Sequence, residues 1–289
     1  MRHIVVLIIL VALVGCSNRD CSLSSCLPII PECEENTSRI YNDYDERVNG
    51  ESFLLRHFLK PSYIVFDIGA NVGTWSKNAL AIEPNLTLIA FEPIPEVFAR
   101  LRKDIGKKAY SLHNIAITDR IGQTPFFFYN QNWFTTKLSG LYKREVTLKK
   151  QTVEPITIKV EQDTLDHFCF NKDICEIDLL KIDTEGSEIK ILLGAENMIK
   201  DQRIRAIQFE YDSPYQDAGT TLKEVVRYLT NNDYVLFKIT PKGLIHIGKW
   251  TDSLENLSHA NYFAIRQNDV PDYSVTENLD TFNAAVWEK

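Results

Sequence analysis

The stretch Val65-Phe66-Asp67-Ile68-Gly69-Ala70-Asn71-Val72-Gly73-Thr74-Trp75 decides the fold. The apolar, β-branched run Tyr63–Ile68 reads as a buried strand, and Thr74–Ile82 carries helical spacing stopped by Pro84. Between them lies a Gly-x-x-x-Gly turn. Glycine has no Cβ and tolerates positive φ, so such a turn lets backbone approach a ligand closely. The helix N-terminus beyond it offers free N–H groups to an anionic part of that ligand. The spacing is not the Gly-x-Gly-x-x-Gly of dinucleotide folds.

Working outward, β and α patterns alternate. Leu86–Phe91 reads as a strand, Pro95–Asp104 as a helix and Tyr110–Ile117 as a third strand. After a break come strand Ile177–Ile182, helix Glu188–Ile199, strand Ile204–Phe209, helix Leu222–Thr230, strand Tyr234–Ile239 and a closing strand Asn261–Ile265. Alternation of this kind predicts a doubly wound α/β domain with a parallel sheet covered on both faces. In the break, Thr124–Tyr129 and Thr152–Val160 look like strands flanking Trp133–Lys150, an inserted hairpin or flap. Upstream, Phe53, Leu54 and Phe58 give Glu51–Leu59 a helical apolar face ended by Pro61, so the domain is expected over residues 51–266.

The flanks are of another kind. Arg2 and His3 precede an apolar run, Ile4–Val14, of eleven residues, too short to span a bilayer comfortably. It fits the apolar segment of a signal peptide. It ends in Leu13-Val14-Gly15-Cys16-Ser17, which resembles a bacterial lipobox, so residues 1–16 are expected to act as a signal and Cys16 as a lipidated N-terminus. Residues 17–50 read as a polar linker holding Cys21, Cys26 and Cys33, whose spacings do not match a zinc site. They suit pairing in an oxidising compartment, whereas Cys169 and Cys175 read as free thiols. Residues 267–289 read as a surface tail. The expected location is membrane-associated, as an exported lipid-anchored protein, with the cytosolic side as the alternative. The formal charge of −7 and the absence of a basic stripe argue against a nucleic-acid partner.

Candidate site residues cluster at strand ends. Asp67 suits a ligand ammonium or a structural hydrogen bond to the turn. Phe91-Glu92-Pro93 ends the next strand, with Glu92 19 residues after Gly73. A carboxylate there accepts hydrogen bonds from the two hydroxyls of a ribose. Together, turn and carboxylate indicate a nucleoside-containing ligand. Asp183, Glu185 and Glu188 follow the fourth strand, and Glu210 and Asp212 the fifth, giving a carboxylate-rich rim. Clustered carboxylates also suit a divalent ion, but no further ligand set is visible and no metal is expected.

Phe66-Asp67-Ile68-Gly69-Ala70-Asn71-Val72-Gly73, Phe91-Glu92-Pro93, Asn114-Ile115-Ala116, Thr164-Leu165-Asp166 and Leu180-Lys181-Ile182-Asp183-Thr184-Glu185-Gly186-Ser187-Glu188 together resemble the FkbM family of S-adenosylmethionine-dependent methyltransferases, over roughly residues 60–266. Thr184 and Ser187 depart from it, where the family more often has an aliphatic residue and a His. The resemblance implies a class I, Rossmann-like sheet of seven strands, mostly parallel with the last antiparallel. It implies that Asp67, Gly69, Asn71 and Gly73 hold the methionine part of S-adenosylmethionine, Glu92 its ribose, and that Asn114 and Ala116 border its adenine. It also implies a hydroxyl acceptor on a sugar, glycolipid or other small metabolite.

Methyl transfer to a hydroxyl needs an aligned oxygen and a proton acceptor. Asp183 is the first candidate base, Glu185 the second and Glu210 the third, each against a structural alternative. Glu188 sits in a helix's first turn, where acidic residues favour the dipole. His57 and His113 read as structural. Trp133, Phe134 and Tyr211 are candidates to cover the substrate, against ordinary core packing. The rival reading is a binding protein at the membrane that keeps the fold without turnover.

Overall fold

Strands covered on both faces must be apolar at successive positions, and they are. The computed structural model describes residues 29–30, 48–130, 136–145 and 154–270. The run Ile4–Val14, Cys16, Cys21, Cys26, Cys33, Trp133 and Phe134 lie outside the described residues, as does the tail from 271 onward. In chain order the elements are β1 (Ile29–Ile30), α1 (Glu51–Phe58), β2 (Ile64–Ile68), α2 (Thr74–Ile82), β3 (Thr87–Phe91), α3 (Pro95–Ile105), β4 (Ser111–His113), β5 (Ala116–Ile117), β6 (Gly122–Phe128) and β7 (Ile156–Asp163). There follow α4 (Leu165–Asn171), β8 (Ile177–Ile182), α5 (Glu188–Leu193), α6 (Glu196–Lys200), β9 (Ile204–Tyr211), α7 (Pro214–Ala218), α8 (Leu222–Thr230), β10 (Tyr234–Thr240), β11 (Gly243–His246) and β12 (Ala260–Arg266).

Alternate residues of each central strand enter opposite cores. Phe66, Ile68, Ile89, Phe91, Leu180 and Ile182 pack on one face with α4, α5 and α8. Val65, Leu88, Ala90 and Leu179 pack on the other with α1, α2 and α3. The period of two along a strand produces this division.

Among the described residues the large sheet has nine strands in the order β1-β11-β10-β12-β9-β8-β2-β3-β4. The seven expected strands are present, with β12 antiparallel to both β9 and β10. The expectation of seven strands is corrected by β11, which forms a hairpin with β10, and by the two-residue β1 alongside it. The expected strand Tyr110–Ile117 is two strands: β4 pairs with β3, whereas β5 joins a second sheet, β5-β7-β6. Asn114 makes that break by donating its amide to the carbonyls of Glu92 and Pro93. The antiparallel pair β6–β7 is the expected hairpin. The expected helix Glu188–Ile199 divides at Gly194-Ala195, where a Cβ on Gly194 would lie 2.0 Å from the Thr118 carbonyl oxygen.

This topology positions the site. The parallel strands β2, β3, β8 and β9 end on one edge of the sheet. From β2 the chain winds outward through β3 to β4, then returns to β8 and winds the other way to β9. The switch point lies between β2 and β8, where open α/β sheets form a crevice beyond the strand ends. Because β12 runs antiparallel, its first residues arrive at the same edge, with Asn261 opposite Glu210. Among the described residues no helix is long and apolar enough to cross a membrane.

Candidate active site

A cavity of about 490 Å³ opens at the switch point, within the range of small-molecule sites. Its floor is the turn after β2. The N–H groups of Gly69 and Ala70 both donate to the Phe91 carbonyl at 3.1 and 2.9 Å, folding the turn over the end of β3. Gly69 has φ +80°, and a Cβ there would lie 1.9 Å from the Asp183 carbonyl oxygen, so only glycine allows β2 and β8 to close at this point.

Glu92 fastens the turn. One carboxylate oxygen accepts the Asn71 N–H at 3.0 Å and the other the Ile94 N–H at 2.8 Å. Burial pushes its pKa up to about 7, against the pull of those two hydrogen bonds. Each oxygen keeps a lone pair for a ligand hydroxyl. Beside Glu92 the wall is apolar, built by Val72, Ile94, Ile115, Ala116, Ile117 and Phe126. The second sheet supplies Phe126 to this wall, and Val72, Ile94, Ala116 and Phe126 pack as one cluster.

The opposite end is charged. Lys181, on β8, lies with Nζ 3.1 Å from Asp67 Oδ1 and 3.2 Å from Asp183 Oδ2. Asp67 is fully buried and also accepts the Ser76 hydroxyl at 2.5 Å. Glu185 Oε2 pairs with the Arg144 guanidinium at 2.7 Å. Burial, reinforced by Glu210 and Asp183, pushes Glu185 well above the ordinary carboxylate range against the pull of Arg144. Glu210 Oε1 lies 3.0 Å from His259 Nε2. Burial and the neighbouring carboxylates of Asp183, Glu51 and Asp212 push Glu210 well up, while Lys181 opposes them.

The sequence-derived candidates divide in two. Gly69, Asn71, Glu92, Ala116, Asp183, Glu185 and Glu210 line this one cavity, whereas Asp67, Gly73 and Asn114 stand behind it. Gly73, at φ +79°, is the N-cap of α2 and faces Leu101 and Ile105. Asn114 does not turn its amide to an adenine-sized wall; it holds the backbone of Glu92 and Pro93. Glu188 is structural through its side chain, which accepts the N–H and hydroxyl of Thr184; burial raises its pKa to about 7. Asp166 accepts the N–H groups of Asn197 and Met198 and so caps α6 from α4. His113 stacks on Phe91, and His57 bonds the Phe53 carbonyl, both outside the cavity lining. Tyr211 is core: its hydroxyl donates to Glu255 and accepts the Leu257 N–H. Cys169 and Cys175 are free, and burial pushes the Cys169 thiol up to about 12.

Sequence reasoning missed Lys181, Arg144, His259 and Glu51. A signal existed for the first: a Lys inside the apolar strand Leu179-Leu180-Lys181-Ile182 requires a buried partner. Register opposite Asp67 supplies it. Arg144 belongs to the segment between β6 and β7, of which Leu138, Leu141 and Ser139 also line the cavity.

The donor set fits S-adenosylmethionine. Asn71 Oδ1, Trp75 Nε1 and Ser187 Oγ are buried in cavity-lining residues and have no hydrogen-bond partner among the described residues. Such orphaned groups await a polar ligand. The carboxylate end suits a ligand's positive charge, and the apolar slot next to Glu92 suits a nucleoside base. Among the described residues no three His, Cys, Asp or Glu side chains are arranged to hold a metal ion.

The family model described as the methyltransferase FkbM domain matches residues 67–236. The chain is 27% identical to the 2-O-methyltransferase NoeI of Sinorhizobium fredii, over 61% of this chain and 74% of that protein. It is 30% identical to the 31-O-demethyl-FK506 methyltransferase FkbM of Streptomyces tacrolimicus, over 63% of this chain and 77% of that protein. Among solved structures, the precorrin-6y C5,15-methyltransferase of Geobacter metallireducens aligns with a TM-score of 0.41 at 12% identity, covering 82% of this chain and 94% of that one. The matched span includes the glycine turn, Glu92 and the carboxylate rim, and the chain belongs to the FkbM family of S-adenosylmethionine-dependent methyltransferases.

Proposed function

We propose that the chain methylates a hydroxyl oxygen of a sugar, glycolipid or other small metabolite. The observation that carries this reading is the two-ended cavity, with an apolar end beside Glu92 and a carboxylate-lined end at Asp183, Glu185 and Glu210. The two relatives named above, NoeI and FkbM, carry oxygen as the methylated atom in their names.

Gly69 and Asn71 would hold the methionine part of the cofactor, with Asp67 and Gly73 shaping the turn from behind. Glu92 would accept the ribose hydroxyls, and Ala116 with its apolar neighbours would border the adenine. Asn114 keeps Glu92 in place. Bound there, S-adenosylmethionine supplies a methyl group on a positively charged sulfur. The chain's own part is to align an acceptor oxygen with that methyl, exclude water with the segment carrying Leu138 and Leu141, and hold the released proton on the rim.

At the N-terminus, the Ile4–Val14 run and Cys16 support a membrane-anchored location for the whole chain. The deciding experiment incubates the purified protein with methyl-labelled S-adenosylmethionine and cell fractions, then identifies the labelled product. A labelled methyl ether supports the reading. Label on nitrogen or carbon, or no binding of the cofactor or its demethylated product by calorimetry, overturns it.

A further inference from the structure

His259 belongs to none of the motifs above and lies outside the family-matched span 67–236. It reaches the cavity only because β12 is antiparallel. A residue just before β12 arrives where β9 ends, and its Nε2 lies 3.0 Å from Glu210 Oε1. The His259 side chain is 4% exposed and that of Glu210 23%, and both line the cavity.

The three rim carboxylates differ in what faces them. Asp183 is 3.2 Å from the ammonium of Lys181, and Glu185 is 2.7 Å from the guanidinium of Arg144. A permanent cation favours the ionised carboxylate and so weakens it as a proton acceptor. Protonating either one would also strip a buried cation of its counter-ion. Glu210 lies 3.0 Å from an imidazole, which holds a carboxylate by a ring N–H. The Lys181 ammonium also pulls on it, but less than each of the neighbouring carboxylates Asp183, Glu51 and Asp212 pushes.

We propose that Glu210 is the catalytic residue that takes the acceptor's proton and that His259 is the positioning residue that aims it. This rests on the methyl-transfer reading of the cavity. The step balances: the acceptor O–H bond breaks, its proton goes to Glu210, and its electron pair forms the O–CH3 bond. The electron pair of the breaking C–S bond returns to sulfur, whose positive charge is lost.

The groups facing the pair are Glu51 from α1, Lys181 and Asp183 from β8, and Glu185 and Asp212 from the loops beyond β8 and β9. Burial pushes the His259 ring below its ordinary range, against the pull of these carboxylates, while it pushes Glu210 up. Neutral imidazole beside a carboxylate of raised proton affinity is the pairing a general base needs.

The test uses the full chain saturated with S-adenosylhomocysteine, with binding verified by calorimetry on each sample. Imidazole nitrogen signals are followed against pH, with His259 assigned from its absence in His259→Asn. Glu210→Gln is expected to move the His259 titration by more than Asp183→Asn does. With the labelled acceptor fraction, Glu210→Gln should lose about 10²–10⁴-fold in kcat, the scale of general-base catalysis. Asp183→Asn should lose less. His259→Ala should displace the acid limb of the pH–rate profile, and His259→Gln, which keeps a donor, should restore part of kcat. A titration of His259 indifferent to Glu210, or a larger kcat loss from Asp183→Asn, overturns the assignment. Absent cofactor binding or absent methyl incorporation in the wild type overturns the methyl-transfer reading instead.

Discussion

The carboxylate of Glu92 accepts the backbone N–H of Asn71 at 3.0 Å, so the residue proposed to read a ribose also holds the glycine turn in shape. Its other oxygen takes the Ile94 N–H at 2.8 Å, which fixes the start of α3. On the proposed reading, binding and local folding are joined in one side chain. Glu92→Ala is expected to weaken S-adenosylhomocysteine binding by about 1–3 kcal/mol, and to lower stability by a similar amount because two N–H groups lose their acceptor. Calorimetry and thermal unfolding on the same sample check both; lost affinity with unchanged stability would show that the two hydrogen bonds to backbone contribute nothing.

The raised pKa of Glu92, about 7 against an ordinary 4.5, sets a pH dependence. Between those values the folded state binds more protons than the unfolded one, so the stability of the cofactor-free fold falls as pH rises from 4.5 towards 7. Ribose hydroxyls donate better to the ionised form. Cofactor affinity should therefore rise as pH passes upward through 7, by roughly tenfold, the difference between a neutral and a charge-assisted pair of hydrogen bonds. Calorimetry at about pH 6 and about pH 8 measures this, and Glu92→Gln should flatten the dependence.

The turn and Glu92 were legible because their requirements are local: a glycine at positive φ, and a carboxylate at a strand end. Asp67 shares a face with Val65 by the period of two, but its meeting with Lys181 depends on the register of β2 against β8, which the spacing does not encode. Asn114 was found at the right turn, but the direction of its amide depends on carbonyls 21 and 22 residues away. The pairing of Arg144 with Glu185 spans 41 residues through an inserted segment, and no spacing rule encodes it. His259 depends on an antiparallel strand's register. These distant pairings are made by tertiary packing, and periodicity carries no trace of them.

Glycine substitutions separate crowding from backbone strain. Gly69 at φ +80° and Gly219 at φ +65° both sit in the left-handed region, but a Cβ on Gly219 meets nothing within 4 Å. Gly219→Ala should cost only the conformational strain, about 1–2 kcal/mol. Gly69→Ala adds the 1.9 Å clash with the Asp183 carbonyl and should cost clearly more, with loss of cofactor binding. Denaturant titration of the two variants checks the order; equal costs would mean that β2 and β8 part easily.

The membrane reading places a test on Cys16. On that proposal, the segment of eleven apolar residues ending in a lipobox-like sequence would direct the chain to export and lipidation at that cysteine. Wild type is expected in the membrane fraction and Cys16→Ala outside it. Protease added to intact cells reports the side. Wild type recovered wholly in the soluble fraction, with its first sixteen residues still present, would refute the anchor.

Lys181 offers a test of how the site is held together. Its ammonium lies between Asp67, fully buried behind the turn, and Asp183 at the cavity wall. Removing one partner of a buried ion pair leaves an uncompensated charge, at a cost of about 3–5 kcal/mol. Lys181→Met keeps most of the apolar stem and deletes the charge, together with the ammonium's place over the Trp75 ring. It should therefore destabilise by about that amount. Adding Asp67→Asn to Lys181→Met removes the stranded carboxylate while the amide oxygen can still accept the Ser76 hydroxyl. The double variant should recover a large part of the loss, so the two substitutions should be strongly non-additive. The cycle is read by denaturant unfolding at neutral pH. Additive costs would mean that Lys181 acts on Asp183 alone and that Asp67 is held by Ser76 without it.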